Sequence, residues 1–139
     1  MRGFLLLSLV FTISCGSWNK DTVQSGSGDL LSDDPENKPI IEFVKTVHDF
    51  GKIAQGEVVG TTFIFKNTGK SNLIIRDANA SCGCTVPRWD EEPVPPGEKG
   101  TLEVVFDSSG RIGKQSKSIT VHTNADNATI ILSIKAEVL

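Results

Sequence analysis

From residue 39 onward, apolar and polar residues alternate with a period of two in a series of short segments. In the clearest of these, residues 130–138, apolar side chains recur at every second position. This period is that of a half-buried β-strand, because successive side chains of a strand point to opposite faces. Other strand-like segments lie at 41–44, 57–67, 73–75, 102–107 and 119–122.

The segments between the predicted strands have the composition of turns and loops. Residues 93–100 contain three prolines, and proline lacks the amide hydrogen that a strand ladder needs. Residues 108–113 and 124–127 are predicted to be a loop and a hairpin turn. No window of helical length has an apolar stripe of period 3.6. About seven short strands in about 100 residues predict an all-β fold, an immunoglobulin-like β-sandwich over residues 39–139.

Several residues of this domain have an expected structural role. Phe50 is predicted to insert into the core where Gly51 ends a strand in a sharp turn. The segment Asn67-Thr68-Gly69 is a predicted turn, in which the Asn67 side chain bonds to nearby backbone groups. Residues on the apolar phase of three separate strands are predicted to meet in one core, namely Phe63, Phe106 and Leu132.

The first fifteen residues have the layout of a secretory signal, with Arg2 followed by an apolar run and small residues. This run is shorter than the ~20 residues that a membrane-spanning helix needs. Thr12–Gly16 resembles the bacterial lipobox, in which the cysteine is acylated and becomes the first mature residue. We therefore expect a lipoprotein signal peptide at 1–14 and lipidation of Cys15. The alternative is an ordinary signal peptide with an incidental cysteine.

Residues 15–38 are rich in serine, glycine, aspartate and asparagine, and are predicted to form a flexible linker that carries the lipid anchor. Within this linker, Asp21-Thr22-Val23 resembles the O-glycosylation motif of Bacteroidota, which makes Thr22 a possible glycosylation site. The linker holds two lysines and five acidic residues, whereas the domain is almost neutral. Without a basic stripe, nucleic acid is not an expected partner.

An ordered set of motifs in the domain matches one family. The set comprises His48–Ile53, Phe63–Gly69, Ala80–Thr85, Pro95–Glu98 and Val105–Asp107. It resembles the bacterial family called domain of unknown function 1573, common among Bacteroidota lipoproteins, and the related immunoglobulin-like domains of ASPM, SPD-2 and Hydin. Because Gly16 and not an acidic residue follows Cys15, the lipid anchor is expected in the outer membrane, on its periplasmic or surface face. The resemblance implies an immunoglobulin-like fold and a place in the bacterial cell envelope. It implies no reaction.

The pair Cys82 and Cys84 is the main candidate for chemistry. Residues two apart in a strand have Cα atoms about 6.6 Å apart and point the same way, so a disulfide would need a bend at Gly83. The alternatives are a redox-active disulfide, a Cu(I) site made of two thiolates, a cofactor or partner attached through one sulfur, and a static structural pair. Zinc is disfavoured because only His48 and His122 could complete four ligands.

Motifs of common enzyme classes are missing from the sequence, including Gly-x-Ser-x-Gly, phosphate-binding glycine loops and His-Glu-x-x-His. Trp89 is expected to cover the end of the sandwich, and no cofactor or small-molecule substrate is identified. The function predicted is that of a non-enzymatic, lipid-anchored envelope protein that docks a protein partner as a binding or scaffold module. The alternative is a thiol-redox or Cu(I)-handling protein that uses Cys82 and Cys84.

Overall fold

The computed structural model describes residues 37–139, and in these residues the regular secondary structure consists of eight β-strands. The all-β prediction is confirmed, with eight strands instead of about seven. The strands are β1 (Ile41–Phe43), β2 (Val47–Ile53), β3 (Val58–Asn67), β4 (Ile75–Ala80), β5 (Thr85–Trp89), β6 (Lys99–Asp107), β7 (Gly113–Thr123) and β8 (Thr129–Val138).

The eight strands form two four-stranded sheets, with orders β1-β3-β6-β5 and β2-β8-β7-β4. Strand β1 pairs antiparallel with β3, and strand β2, after a break at residues 44–46, pairs parallel with β8 in the other sheet. The remaining pairs are antiparallel. The chain changes sheet again between β4 and β5. Strands β1 and β5 are therefore the edges of one sheet, and β2 and β4 are the edges of the other.

The core lies between the two sheets, where the predicted apolar phases meet. Phe63, Phe106 and Leu132 are each at most 1% exposed, so the predicted core is confirmed. The strand register explains this burial, because Phe63 pairs with Leu102 and Leu132 pairs with Ile119 on inward-facing positions. Burying such side chains is the main stabilising contribution to a sandwich that has no disulfide between its sheets.

Two local predictions differ from the structure. Strand β2 continues past Gly51, which has a φ of 71° at an irregularity in the pairing with β8. The Asp49 carboxylate accepts a hydrogen bond from the Gly51 N–H at 2.8 Å, so the glycine forms a bulge instead of ending the strand. Phe50 is half-buried against the core. The predicted strand 73–75 is also wrong, since Leu73 makes only a single bridge to Val94 before β4 begins.

Asn67 has a wider role than the predicted turn requires. Its side chain is fully buried, and its Nδ2 donates hydrogen bonds to the carbonyls of Ser71 at 2.7 Å and Val94 at 2.9 Å. Its Oδ1 accepts from the N–H groups of Gly69 at 3.0 Å and Ile40 at 3.4 Å. One amide thus joins the β3–β4 turn, the proline-rich loop and the start of the domain.

The chain enters the sandwich at the end of the molecule formed by the turns after β3 and β7. The Lys38 carbonyl accepts a hydrogen bond from the Lys70 N–H at 3.2 Å, and the Lys38 ammonium lies 3.6 Å from the Asp126 carboxylate. The loop 108–113 lies at the opposite end, because the 11 residues of β7 separate it from the turn that follows β7. The turn 81–84 lies between the two ends of β7, since the Ser81 N–H donates to the carbonyl of Ser118 in the middle of that strand. No helix in residues 37–139 is long and apolar enough to cross a membrane.

Candidate functional site

Cys82 and Cys84 lie in the turn that carries the chain from β4 to β5, and their Sγ atoms are at bonding distance. The Sγ atoms are 2.08 Å apart and the Cα atoms 5.4 Å apart. The Thr85 N–H donates to the Cys82 carbonyl at 3.2 Å, and the Asp107 N–H donates to the Cys84 carbonyl at 2.9 Å. These residues form the bend at Gly83 that a disulfide is predicted to need, and the turn brings the two Cα atoms closer than a strand would.

The surroundings of the two sulfurs differ. Both cysteines are half-buried, but only Cys84 packs against the hydrophobic core. Gly83 is exposed, and a Cβ added there would meet no heavy atom within 4 Å. Thr85 is 4% exposed, and its Oγ1 lies 3.8 Å from the Cys82 Sγ and 3.9 Å from the Cys84 Sγ. A buried hydroxyl therefore faces both sulfurs, and one side of the turn is open.

The two histidines considered as possible ligands make other contacts. His48 Nδ1 lies 3.0 Å from the Lys45 ammonium, and the His48 ring packs edge-on against Phe50. Burial, with a smaller effect of the Lys45 charge, lowers the pKa of His48. His122 is exposed, and its Nδ1 lies 3.2 Å from the Thr129 hydroxyl. Among residues 37–139, no three His, Cys, Asp or Glu side chains are grouped so that they could hold a metal ion.

Copper binding at the cysteine pair would require chemistry before binding. Cu(I) is bound by thiolates. In the structure both sulfurs are engaged in the bond between Cys82 and Cys84. A Cu(I) site would therefore form only after two-electron reduction of that bond.

Three of the four sheet edges have features that hinder pairing with another strand. Strand β5 contains Pro87, and the bond between the Asp107 N–H and the Cys84 carbonyl sets the phase of the β5–β6 ladder. In that phase Pro87 faces the free edge, where it offers no N–H. Strand β2 has the bulge at Gly51. Strand β1 has only three residues. These are common means of protecting sheet edges.

Strand β4 is the remaining edge and contains no proline. The Ser81 N–H donates to the Ser118 carbonyl at 2.8 Å, so Ser81 belongs to a hydrogen-bonded pair of the β4–β7 ladder. In an antiparallel ladder such pairs alternate, so the intervening residues turn their backbone groups away from the partner strand. Ala78 and Ala80 occupy those positions. Within residues 37–139, neither alanine has a backbone hydrogen bond outside the strand ladder.

The remaining predicted site residues are placed as follows. Trp89 is the last residue of β5 and is half-buried against the core. Its Nε1 is buried and has no hydrogen-bond partner within residues 37–139. Cys15, predicted to be lipidated, and Thr22, the possible glycosylation site, lie outside the described residues. Sequence analysis did not identify Ala78, Ala80 or Thr85 as candidate residues, because only the register shows which backbone groups and which hydroxyl are free.

Solved structures similar to this chain share its fold at low sequence identity. A protein of unknown function from Porphyromonas gingivalis W83 has a TM-score of 0.64 and 18% identity, with 73% of this chain and 48% of that chain covered. This chain thus spans about half of that protein. PapD-like domain 7 of human CEP192, an ASH domain, has a TM-score of 0.61 and 9% identity, with 78% and 90% covered.

The secreted serine protease VesC from Vibrio cholerae has a TM-score of 0.53 and 9% identity, with 77% of this chain and 24% of that chain covered. At such identities the likeness shows the fold alone. No protein with a curated description matches the chain. A family model, described as "Protein of unknown function (DUF1573)", matches residues 41–138. The match covers eight strands and most of the chain, and it agrees with the resemblance carried by the sequence motifs. The chain therefore belongs to the DUF1573 family.

Proposed function

We propose that this protein is a non-enzymatic, lipid-anchored component of the bacterial cell envelope, and that its domain docks a protein partner at the free edge of β4. In this proposal an extended segment of the partner adds a strand next to Ala78 and Ala80. The free backbone groups of these two alanines are the observation that carries the proposal. Strand addition of this kind obtains its affinity from main-chain hydrogen bonds.

The chemistry of the β4 edge suits an added strand. Ala78 and Ala80, which lie on either side of Asn79, together offer two free N–H and two free C=O groups. Their spacing is that of an antiparallel or parallel ladder. The side chains of Ala78 and Ala80 pack towards the core, so they do not lie in the path of a strand added in the plane of the sheet. On the outer face the Asn79 amide donates a hydrogen bond to the Asp77 carboxylate, so this edge carries polar groups beside the free backbone.

Lipid attachment at Cys15 would place this edge near a membrane without immobilising it. If residues 15–38 form the flexible linker predicted from the sequence, its root-mean-square end-to-end distance would be about 25–30 Å. The linker joins the domain beside the turns at residues 70 and 126. Strand β4 begins near that end and runs away from it, so most of its edge lies away from the point at which residue 38 enters the domain. Acyl chains stabilise attachment by about 0.8 kcal/mol for each buried methylene.

The proposal is tested with two substitutions at one position. Ala80→Pro removes a free N–H without removing a bond to β7, just as Pro87 does naturally in β5. Ala80→Gly keeps that N–H and is the matched control. A photo-crosslinking amino acid at Asn79, on the outer face of the same strand, reports the partner in cells of the source bacterium.

We expect one discrete crosslinked adduct from position 79, retained with Ala80→Gly and lost with Ala80→Pro. A crosslinker at Arg88, on the outer face of β5, should give no such adduct. The thermal unfolding midpoint of each purified variant shows whether it is folded. An adduct that persists in folded Ala80→Pro protein would contradict docking at β4.

A further inference from the structure

We infer that the Cys82–Cys84 pair is a site of reversible thiol–disulfide exchange, at which an external dithiol attacks the Cys82 sulfur. The inference does not depend on docking at β4. It rests on the different surroundings of the two sulfurs, on the buried hydroxyl that faces them, and on the small size of the ring that the bond closes.

The first argument concerns which sulfur can be reached. Cys84 is held on both sides, since its carbonyl accepts the Asp107 N–H of β6 and its side chain packs against the core. Cys82 lies outside that core cluster. The neighbouring Gly83 has no side chain and is open to solvent. An incoming thiolate therefore reaches the Cys82 Sγ, and exchange at disulfides depends on which sulfur is accessible.

The second argument concerns the leaving group. Attack at Cys82 expels the Cys84 sulfur as a thiolate, which needs a hydrogen-bond donor if it is only half exposed. The Thr85 Oγ1 lies 3.9 Å from that sulfur. Within residues 37–139, the two cysteine sulfurs are the only hydrogen-bond partners of this hydroxyl, and Thr85 is 4% exposed. The hydroxyl is therefore available to donate to the Cys84 thiolate.

The third argument concerns how strongly the fold retains the bond. A disulfide between residues two apart closes a very small loop, so it removes little entropy from the unfolded chain. By thermodynamic reciprocity, the folded protein stabilises the bond only as much as the bond stabilises the fold. The bond should therefore be nearly as reducible in the folded protein as in the unfolded chain. A disulfide that is accessible and weakly retained suits exchange better than a permanent structural role.

The reaction balances with a dithiol as the reductant. A thiolate of the dithiol attacks the Cys82 Sγ, forms a mixed disulfide with Cys82 and releases the Cys84 thiolate, which is protonated. The second thiol of the dithiol loses its proton and displaces Cys82 from the mixed disulfide. The protein gains two electrons and two protons, and the dithiol becomes a cyclic disulfide. The reverse sequence reoxidises Cys82 and Cys84 and reduces the cyclic disulfide to the dithiol.

The test uses the full-length protein carrying Cys15→Ser, so that only Cys82 and Cys84 can react. The probe for reduction is dithiothreitol, and maleimide trapping followed by mass spectrometry measures the rate of thiol formation. We expect folded protein to be fully reduced by millimolar dithiothreitol. Thr85→Val, which keeps the shape but removes the hydroxyl, should slow the reduction about tenfold, whereas Thr85→Ser should restore the rate.

Single-cysteine variants test the direction of attack. The Cys84→Ser variant retains the Cys82 thiol, and the Cys82→Ser variant retains the Cys84 thiol. The Cys82 thiol should form a mixed disulfide with oxidised glutathione about tenfold faster than the Cys84 thiol does. The thermal unfolding midpoint confirms that each variant is folded. Resistance of the folded wild-type bond to dithiothreitol, or equal reactivity of the two single cysteines, would overturn the inference. An unchanged rate in Thr85→Val would remove the proposed role of the hydroxyl.

Discussion

Replacing Asn67 by alanine should destabilise the domain far more than replacing its neighbour Thr68 in the same turn. The change removes four hydrogen bonds, two donated to the carbonyls of Ser71 and Val94 and two accepted from the N–H groups of Gly69 and Ile40. Leaving a buried polar group without a partner costs about 1–3 kcal/mol. These groups are only partly buried, so we take about 1 kcal/mol for each and expect a loss of about 4 kcal/mol.

Asn67→Asp separates the role of the donor from that of the acceptor. The aspartate keeps an acceptor for Gly69 but places a carboxylate oxygen against the Ser71 and Val94 carbonyls. Burial and these oxygens would raise the pKa of the new carboxyl in the folded state. The folded protein then binds more protons than the unfolded chain, so stability falls as pH rises from the unfolded pKa towards the raised folded pKa. Asn67→Ala should lack this pH dependence relative to the wild type.

Urea denaturation at pH 4.5 and pH 7 measures both effects. Thr68→Ala is the control, because Thr68 is the exposed neighbour in the same turn and should change stability by less than about 0.5 kcal/mol. A loss below about 1 kcal/mol for Asn67→Ala would refute the reasoning, since it would mean that water replaces the amide at no cost.

Three further predictions concern the core, the cysteine pair and the anchor. Alanine at the core positions Phe63, Phe106 and Leu132 should lower the free energy of unfolding, measured by denaturation, by about 2–5 kcal/mol. Alanine at the outward-facing Glu103 and Lys135 should lower it by less than about 0.5 kcal/mol, and equal losses would contradict the strand register. Reduction of the Cys82–Cys84 bond should lower the free energy of unfolding by about 1 kcal/mol or less, and a larger loss would indicate a structural bond. Cys15→Ala should release the protein from the membrane fraction; a variant that still sediments after a salt wash would refute lipid anchoring.

The sandwich and its core could be predicted from the sequence because burial in a half-exposed strand leaves a period of two. For this reason the stripes at 102–106 and 130–138 predict the buried faces of β6 and β8 correctly. The register between strands leaves no comparable pattern in one sequence. The placement of β1 and β2 in different sheets, and the bulge at Gly51, depend on pairing with β3 and β8 and could not be predicted.

The candidate sites show the same division. The two cysteines are conspicuous in the sequence. The turn that joins them and the position of Thr85 depend on the placement of β4 and β5 in different sheets. The sequence predicts a turn at Asn67 because its neighbours are residues that favour turns. Its bond to the Val94 carbonyl, 27 residues away, appears only when the proline-rich loop folds back. Long-range contacts of this kind are decided by packing.

Backbone amide hydrogen exchange, followed residue by residue in the purified protein, tests the free β4 edge most directly. We predict fast exchange for the Ala78 and Ala80 amides, which face the edge, and slow exchange for Asp77 and Asn79, which pair with β7. After docking of the crosslinked partner, the two alanine amides should become protected while the others stay unchanged. Protection of Ala78 and Ala80 in the free protein, equal to that of Asn79, would contradict an edge open to strand addition.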